Sequence, residues 1–266
     1  MIYVVPSLKA KEKLQSEGKA WAKSQGFTYV LRHQRTIQDL MDEYGEDFLV
    51  YSSRGPQIDR PEGSHFFSLN MAELRIQNLR KGQCDHLLEA LMGRGSSKLP
   101  ITVLDCTCGF GADAAVASFG LPTGSRVDAL EVSPLLEAVT SWGFSHFVHK
   151  KDDVTAALRR ISLRRGDYRD YLLSDEGPVY DVLYFDPMFQ RPVEASCQFQ
   201  PVRAIMEHGG LTRDLIERAL QKARRRVVIK ERDFRQLCRD FPEVTLYGGK
   251  YSRIGYAVLE CDSWKK

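Results

Sequence analysis

The sequence has no apolar run long enough to cross a lipid bilayer, and its first residues, Met1 to Val5, are too few to form the hydrophobic part of a secretion signal. None of its six cysteines lies in a C-x-x-C pair, and its six histidines lack the spacing of metal ligands. The pattern argues against a membrane protein, a zinc site and a disulfide framework, and it favours reduced thiols that pack in the interior. We therefore expect a cytoplasmic protein that needs no metal.

The composition is that of an ordinary globular protein, because 43% of the 266 residues are hydrophobic and 27% are charged. A chain of this length folds as one large α/β domain or as a core domain with a smaller companion. The formal net charge of +3 is mildly basic, which permits a nucleic-acid partner without requiring one.

The first part of the chain has the pattern of a small α/β unit. Short apolar runs predict strands over residues 2–5, 27–31, 48–51 and 65–69. Helices are predicted up to about residue 23, over 36–44 with Thr36 as cap, over 71–80, and from Asp85 to residue 92. A Gly- and Ser-rich linker follows at 93–100. We therefore predict an accessory or substrate unit over residues 1–95 and a core domain over residues 96–266.

From residue 101 onward strands and helices alternate, which predicts a doubly wound, mostly parallel sheet. The predicted core strands are residues 101–104, 126–131, 161–164, 182–186 and 226–230. The alternation ends with two strand-like segments, 244–247 and 254–261, on either side of a pair of glycines. The predicted fold class is therefore α/β, with a parallel sheet closed by a terminal antiparallel hairpin.

The first core strand is followed by the segment Asp105-Cys106-Thr107-Cys108-Gly109-Phe110-Gly111 and then by a helix rich in alanine. Its two glycines allow positive φ angles and remove the Cβ atoms that would keep a ligand away from the backbone. The start of the helix adds N–H groups that have no acceptor within the helix. These features predict a nucleotide-binding turn, although a plain tight turn with packing glycines has the same pattern.

Two acids follow later core strands. Glu131 stands at the end of the second strand, where a carboxylate lies beside the glycine turn and can accept both hydroxyls of a ribose. Asp167 follows the third strand and can accept a hydrogen bond from an adenine amino group. The alternatives are an acid at a helix start for Glu131 and a solvated turn residue for Asp167.

The tetrapeptide Asp186-Pro187-Met188-Phe189 follows the fourth core strand, which places it at the carboxyl edge of the sheet. The proline has no N–H, so the loop is rich in acceptors, and the aspartate adds a carboxylate. The phenylalanine adds a flat face for stacking. Such a loop suits a planar base whose exocyclic NH2 group must donate two hydrogen bonds, although a strand-ending turn with Phe189 in the core fits the pattern as well.

This combination of motifs resembles class I S-adenosylmethionine-dependent methyltransferases, and within them the RsmJ-like family of bacterial small-subunit ribosomal RNA guanine-N2 methyltransferases. The similarity runs from about Phe66 to the C-terminus and includes a later strand that ends in Lys230. It implies a Rossmann-like core, S-adenosyl-L-methionine as cofactor, and the catalytic residues Asp186, Pro187 and Phe189. The cofactor contacts implied by the resemblance and the turn are Asp105, Thr107, Gly109, Gly111, Ala112, Asp113, Glu131, Val132, Asp167, Tyr168 and Asp186.

The resemblance further implies methyl transfer to an exocyclic amine of a nucleic-acid base, with guanine N2 in ribosomal RNA as the acceptor and RNA as the partner. Four basic clusters would bind phosphates if they converged around the target loop: Lys150-Lys151, Arg159-Arg160, Arg164-Arg165 and Arg224-Arg225-Arg226.

Three other readings stay open at this point. The acceptor can be a different amine, such as adenine N6, a tRNA base or a small molecule. A non-catalytic RNA-binding module can be built on a methyltransferase core. A nicotinamide oxidoreductase shares the glycine turn and the acid at the second strand, but the terminal hairpin and the lack of a Tyr-x-x-x-Lys pair disfavour it.

Overall fold

The computed structural model describes residues 1–93, 99–187, 210–248 and 254–263. Within these ranges the chain forms two compact units. The first contains residues 1–68 and 133–147, and the second contains the other described residues. The predicted domain boundary at residue 95 falls between described ranges and stays a prediction, and Met188 and Phe189 lie outside the described residues.

The first unit is a mixed five-stranded sheet in the order β2-β1-β3-β4-β5. Its strands, numbered along the chain, are β1 (Tyr3–Pro6), β2 (Thr28–Tyr29), β3 (Phe48–Ser52), β4 (Gly55–Arg60) and β5 (Gly63–Phe66). Strand β1 is parallel to β2 and β3, whereas β4 is antiparallel to β3 and β5. The helices of this unit are α1 (Glu12–Ser24), α2 (Ile37–Tyr44) and α6 (Pro134–His146).

Helix α2 begins at the predicted place because Thr36 caps it. The Thr36 hydroxyl accepts from the backbone N–H of Asp39 at 3.2 Å, and the Asp39 carboxylate accepts from the backbone N–H of Thr36 at 2.7 Å. The apolar side of the helix is buried, and Leu40 packs in a solvent-free cluster with Phe48 and Val50.

Strand β4 is absent from the sequence-based prediction because its residues, Gly-Pro-Gln-Ile-Asp-Arg, have little strand propensity. It is nevertheless buried along its whole length. Its polar side chains are satisfied locally: Gln57 donates to the Asp59 carboxylate at 2.8 Å, and Arg60 donates to the Glu46 carbonyl at 2.6 Å. Pairing with β3 and β5, together with these side-chain hydrogen bonds, thus stabilises a strand that local propensity disfavours.

Within the first unit, Gly143 of α6 has no room for a side chain. A Cβ atom there would lie 1.9 Å from Cγ of Phe67, a ring atom that cannot move without displacing the whole side chain. We expect Gly143→Ala to lower the midpoint of thermal unfolding, because overpacking costs about 1–3 kcal/mol and exceeds the helix-propensity gain of about 1 kcal/mol. Differential scanning calorimetry would measure the midpoint of thermal unfolding, with exposed Ser145→Ala on the same helix as control.

A Phe67→Ala background tests the cause of that loss. Alanine lacks the Cγ and ring atoms that a Cβ atom at Gly143 would meet, so Gly143→Ala should cost less free energy of unfolding in this background than in the wild type. An equal cost in both backgrounds would show that the loss has another origin.

The second unit contains a seven-stranded sheet in the order β8-β7-β6-β9-β10-β12-β11. Its strands are β6 (Thr102–Asp105), β7 (Arg126–Glu131), β8 (Ile161–Arg165), β9 (Val182–Phe185), β10 (Arg226–Glu231), β11 (Thr245–Tyr247) and β12 (Gly255–Glu260). The first five of these strands in chain order pair in parallel, and β12 is antiparallel to β10 and β11. The predicted parallel sheet with a terminal antiparallel hairpin is confirmed.

The helices of the second unit are α3 (Asn70–Arg80), α4 (His86–Met92), α5 (Ala112–Gly120), α7 (Asp152–Arg159), α8 (Tyr168–Leu173), α9 (Arg213–Lys222) and α10 (Arg235–Asp240). Asp85 caps α4, as predicted, by accepting from the backbone N–H of Leu87 at 3.0 Å. In the described ranges, no helix combines the length and the apolar character that crossing a membrane requires.

The sheet order places a switch point at the centre of the second unit. The chain builds outward from β6 through β7 to β8, and then continues on the other side of β6 with β9 and β10. Ligands of doubly wound sheets bind at the carboxyl ends of the strands that flank such a point. Here those ends are the glycine turn after β6 and Asp186 after β9.

Candidate active site

The glycine turn has the open backbone that the sequence predicts. Gly109 and Gly111 have φ angles of 52° and 74°, both in the left-handed region that favours glycine. Among the described residues, a Cβ atom on Gly109 would have only the Thr107 carbonyl oxygen within 4 Å, at 3.9 Å, so they leave space open beside the backbone. Helix α5 starts at Ala112, and the N–H groups of its first turn have no acceptor within the helix.

Glu131 is joined to this turn directly. Its side chain is 8% exposed, and its Oε2 accepts from the backbone N–H of Gly109 at 2.8 Å. The carboxylate at the end of β7 therefore stands at the glycine turn, where the ribose interpretation requires it. Val132 follows it and is half-buried.

Asp167 and Tyr168, at the end of β8, belong to the start of helix α8. Asp167 caps the helix by accepting from the backbone N–H of Arg169 at 2.8 Å and forms an ion pair with the Arg169 side chain. Burial alone would raise the pKa of Asp167, but these contacts with Arg169 outweigh burial and lower it. The Tyr168 ring is buried against Phe185, with ring centroids 5.4 Å apart.

Asp186 is held at the carboxyl end of β9 by two contacts. Its backbone N–H donates to the Thr107 hydroxyl at 2.6 Å, which ties the strand end to the glycine turn. Its Oδ2 lies 2.7 Å from Nζ of Lys230. Pro187 is the last described residue of this segment.

Asp113 lies on the other side of the same lysine. Its Oδ2 is 2.8 Å from Nζ of Lys230 and accepts from the Tyr184 hydroxyl at 2.7 Å. Its Oδ1 accepts from Nη1 of Arg75 at 2.5 Å. The Asp113 carboxylate therefore faces the interior, and a contact between Asp113 and a cofactor would involve its backbone N–H.

Arg75 completes the network by donating two hydrogen bonds of 2.8 Å to the Asp85 carboxylate. Its Nη2 also lies 3.5 Å from the Tyr256 hydroxyl on β12. The members alternate in charge along one line: Asp85, Arg75, Asp113, Lys230 and Asp186. We call these five residues the charge row.

Charge pairing inside the row shifts the pKa values of its members. Burial would raise the pKa of Asp113, but Lys230 and Arg75 outweigh it and lower the pKa well below its usual range. Burial would lower the pKa of Lys230, but Asp113 and Asp186 raise it. Burial raises the pKa of Asp186 above its usual range, with Lys230 opposing the shift and Asp113 adding to it.

Asp105 is a buried acid and the last residue of β6, directly before the glycine turn. Its Oδ1 accepts from the backbone N–H of Thr107 at 3.1 Å. Burial raises its pKa far above the usual range, and Asp113 and Asp186 add to this shift. The hydrogen bond from Thr107 to Asp105 therefore fixes the start of the glycine turn, and burial disfavours the ionised form of this aspartate.

The structure brings most of the predicted site residues to one edge of the sheet, but residues absent from the prediction join them. Arg75, Asp85, Tyr184 and Tyr256 complete the surroundings of Asp113 and Lys230. Lys230 lies on β10, the strand that resembles the family's, and the resemblance alone gives it no role. The signal for Arg75 is its place in the part of the chain, from about Phe66 onward, that resembles the family.

Two of the four basic clusters lie away from this edge. Arg159 and Arg160 precede β8, and Arg224 and Arg225 precede β10, so all four lie at the amino edge of a sheet whose site is at the carboxyl edge. Arg226 is partly buried and pairs with Glu260 on β12 at 3.2 Å. Basic residues that do follow strands toward the site are Arg165, at the end of β8, and Arg232, after β10.

Comparison with known proteins gives a consistent result. Residues 64–254 match a family model described as "Putative SAM-dependent methyltransferase". The chain is 29% identical over 230 residues to the uncharacterized protein YpiP of Bacillus subtilis, covering 86% of this chain and 88% of YpiP. It is 32% identical over 209 residues to ribosomal RNA small subunit methyltransferase J of Aeromonas salmonicida, covering 70% of this chain and 82% of that protein.

Among solved structures, a SAM-dependent methyltransferase from Neisseria gonorrhoeae superposes with a TM-score of 0.62. The alignment covers 97% of this chain and 95% of the other at 17% identity. At this identity the similarity is one of fold.

Proposed function

The chain belongs to this family of S-adenosylmethionine-dependent methyltransferases, and we propose that it methylates an exocyclic amine of an RNA base, with guanine N2 in small-subunit ribosomal RNA as the acceptor. The observation that carries the proposal is the junction of two motifs. Thr107 of the glycine turn binds the backbone N–H of Asp186 at 2.6 Å, so the methyl donor's turn and the acceptor's loop meet at one point.

The glycine turn fits S-adenosylmethionine. Open space lies beside Gly109, and Glu131 presents a buried carboxylate at the same point. A ribose offers two hydroxyl donors to such a carboxylate, and the first turn of α5 offers N–H groups to a carboxylate of the ligand. We infer that Gly109, Gly111, Ala112 and Glu131 hold the donor.

When bound, S-adenosylmethionine supplies a methyl group on a sulfonium, which an amine lone pair takes while the carbon–sulfur bonding electrons remain on sulfur. The work of the protein is then orientation of the amine. In our proposal the Asp186 carboxylate and the Pro187 carbonyl each accept one amine N–H, which aims the nitrogen lone pair. The negative charge of Asp186 also stabilises the positive charge that develops on nitrogen, and the carboxylate can take the released proton.

The resemblance adds Phe189, which in this proposal stacks on an unpaired or flipped-out base. A duplex acceptor would have to be opened first, since the exocyclic amine must reach Asp186. Single-stranded loops of RNA meet this condition at the lowest free-energy cost.

The donor site is tested by Glu131→Gln. Glutamine keeps the acceptor for Gly109 but loses the charge that the ribose hydroxyls bind, so affinity for S-adenosylhomocysteine should fall about 10- to 100-fold, or about 1.5–3 kcal/mol. Isothermal calorimetry measures this, with exposed Glu176→Gln as control. An unchanged dissociation constant would remove Glu131 from the site, and binding of NAD without a response to the sulfur ligand would refute the cofactor assignment.

The RNA partner is tested by charge reversal at the two edges of the sheet. Arg165→Glu with Arg232→Glu changes the carboxyl edge, and Arg224→Glu with Arg225→Glu makes the same charge change at the amino edge. We expect the first pair to weaken binding of ribosomal RNA and to flatten its salt dependence, because phosphate contacts release counterions. The second pair should leave the binding of ribosomal RNA and its salt dependence unchanged. Equal effects of the two pairs would contradict an RNA path along the carboxyl edge.

A further inference from the structure

We propose that Lys230 is a positioning residue that fixes the Asp186 carboxylate toward the incoming amine, with Arg75 and Asp113 holding Lys230 in place behind it. This inference rests on the proposed function, in which Asp186 receives the amine. It adds to that function a residue that touches neither donor nor acceptor.

The geometry makes Lys230 a bridge. Its Nζ lies 2.8 Å from Oδ2 of Asp113 and 2.7 Å from Oδ2 of Asp186, and its side chain is 14% exposed. An ammonium held by two carboxylates in a site with little water has few alternative positions. The Thr107 hydroxyl fixes the backbone of Asp186, and among the described residues Lys230 holds its carboxylate.

The rest of the charge row prevents Lys230 from turning fully toward Asp113. Asp113 is already neutralised from its other oxygen by Arg75 at 2.5 Å, and Arg75 is in turn held by Asp85. Two cations and three anions alternate, which leaves one negative charge in excess. Asp186 is the most exposed member at 28%, so the excess charge is presented at the open end of the row.

The surroundings of Asp186 show why a cation is needed. Acidic groups face it from three elements, namely Asp105 on β6, Asp113 on α5 and Glu231 on β10. The Tyr184 and Tyr256 hydroxyls lie in the same region, and Arg75 and Lys230 are the cations of the row. Burial and the neighbouring acids raise the pKa of Asp186, and Lys230 opposes them. Loss of Lys230 would therefore favour a protonated Asp186 that accepts the amine poorly.

The kinetic test compares Lys230→Met and Lys230→Arg with a control lysine. Lys222 serves as the control because its Nζ donates to backbone carbonyls, including that of Tyr171 at 2.6 Å, away from the site. Single-turnover transfer from tritiated S-adenosylmethionine would be followed from pH 5.5 to 9 on ribosomal RNA from a strain without the gene. We expect Lys230→Met to lose at least ~30-fold in rate at pH 7 and to shift the acidic limb upward by about one pH unit or more. Lys230→Arg should retain part of the rate, and Lys222→Met all of it.

A second measurement needs no RNA and separates this inference from the proposed function. Protein labelled with 13C at the aspartate carboxyl groups gives one resonance that Asp186→Asn removes, and its titration midpoint reports Asp186 alone. The titration midpoint of Asp186 should rise in Lys230→Met and Lys230→Gln, and it should remain at the wild-type value in Lys222→Met. An unmoved midpoint in both Lys230 variants overturns the inference even if activity falls. A wild type inactive on RNA, with the midpoint shift present, refutes the proposed reaction but keeps the contact between Lys230 and Asp186.

Discussion

Asp186→Asn should lower the single-turnover rate of methyl transfer by at least ~100-fold at saturating S-adenosylmethionine. Asparagine keeps the size of the side chain but replaces a charged acceptor by a neutral amide whose NH2 group can point at the amine. The nitrogen then loses both its orientation and the negative charge that stabilises it as the new bond forms. Quenched-flow transfer of labelled methyl to RNA from a strain without the gene measures the effect. Phe189→Ala is the companion variant, with a loss of about 1–3 kcal/mol of stacking.

The loss of rate in Asp186→Asn should not come with a loss of stability. Burial raises the pKa of Asp186 above its unfolded value, so the ionised carboxylate lowers the free energy of unfolding at neutral pH. Lys230 keeps its contact with Asp113 in the variant. We expect an unfolding midpoint equal to or above that of the wild type. Full activity in the variant would refute the role of Asp186, and a wild type inert on every RNA would favour the RNA-binding module.

The glycine turn and Glu131 are predictable because their signals are local. The residue type allows the positive φ angles of Gly109 and Gly111, and the place of Glu131 follows from the alternation of strands and helices. The carboxyl ends of parallel strands meet at one edge, so the same alternation also predicts where Asp186 lies. In each case the position of the residue can be predicted from one strand and the point where that strand ends.

The charge row is not predictable in the same way, because its contacts join distant parts of the chain. Arg75 and Asp113 are 38 residues apart, and Asp113 and Lys230 are 117 residues apart. The resemblance assigns Asp113 to the cofactor, yet its carboxylate is fully occupied by Arg75, Lys230 and Tyr184. A side chain at the start of a helix can turn inward or outward, and only the packing of α3 and β10 decides which.

For the arginine clusters, the direction of the neighbouring strand decides at which edge of the sheet they lie. A cluster that precedes a parallel strand lies at the amino edge, and the sequence pattern places Arg226 at the start of a strand. The direction of each strand, which the alternation of strands and helices predicts, therefore separates Arg224 and Arg225 from the site. Clustering along the sequence is a weaker guide to a phosphate-binding surface than the end of the strand at which a cluster lies.

Asp113→Asn should have the largest effect on stability. Asp113 is 9% exposed and separates two buried cations, Arg75 and Lys230. Asparagine removes the charge and places an NH2 donor among groups that are themselves donors. Removing one partner of a buried ion pair costs about 3–5 kcal/mol because the remaining charges are left uncompensated. Urea unfolding at pH 7 measures the loss, and exposed Asp175→Asn is the control.

The pH dependence of this loss identifies its cause. The folded-state pKa of Asp113 lies below its unfolded value, so its contribution is complete above the unfolded pKa and disappears as pH falls through the folded one. The unfolded value is about 3.9, so the stability gap between wild type and Asp113→Asn should narrow as the pH falls below about 4. A gap that stays the same down to pH 3 would mean that asparagine disturbs packing and that the charge of Asp113 does not stabilise the fold. The same variant should bind S-adenosylhomocysteine within about threefold of the wild type wherever it is folded, since in our proposal Asp113 contacts the donor through its backbone and not through its carboxylate.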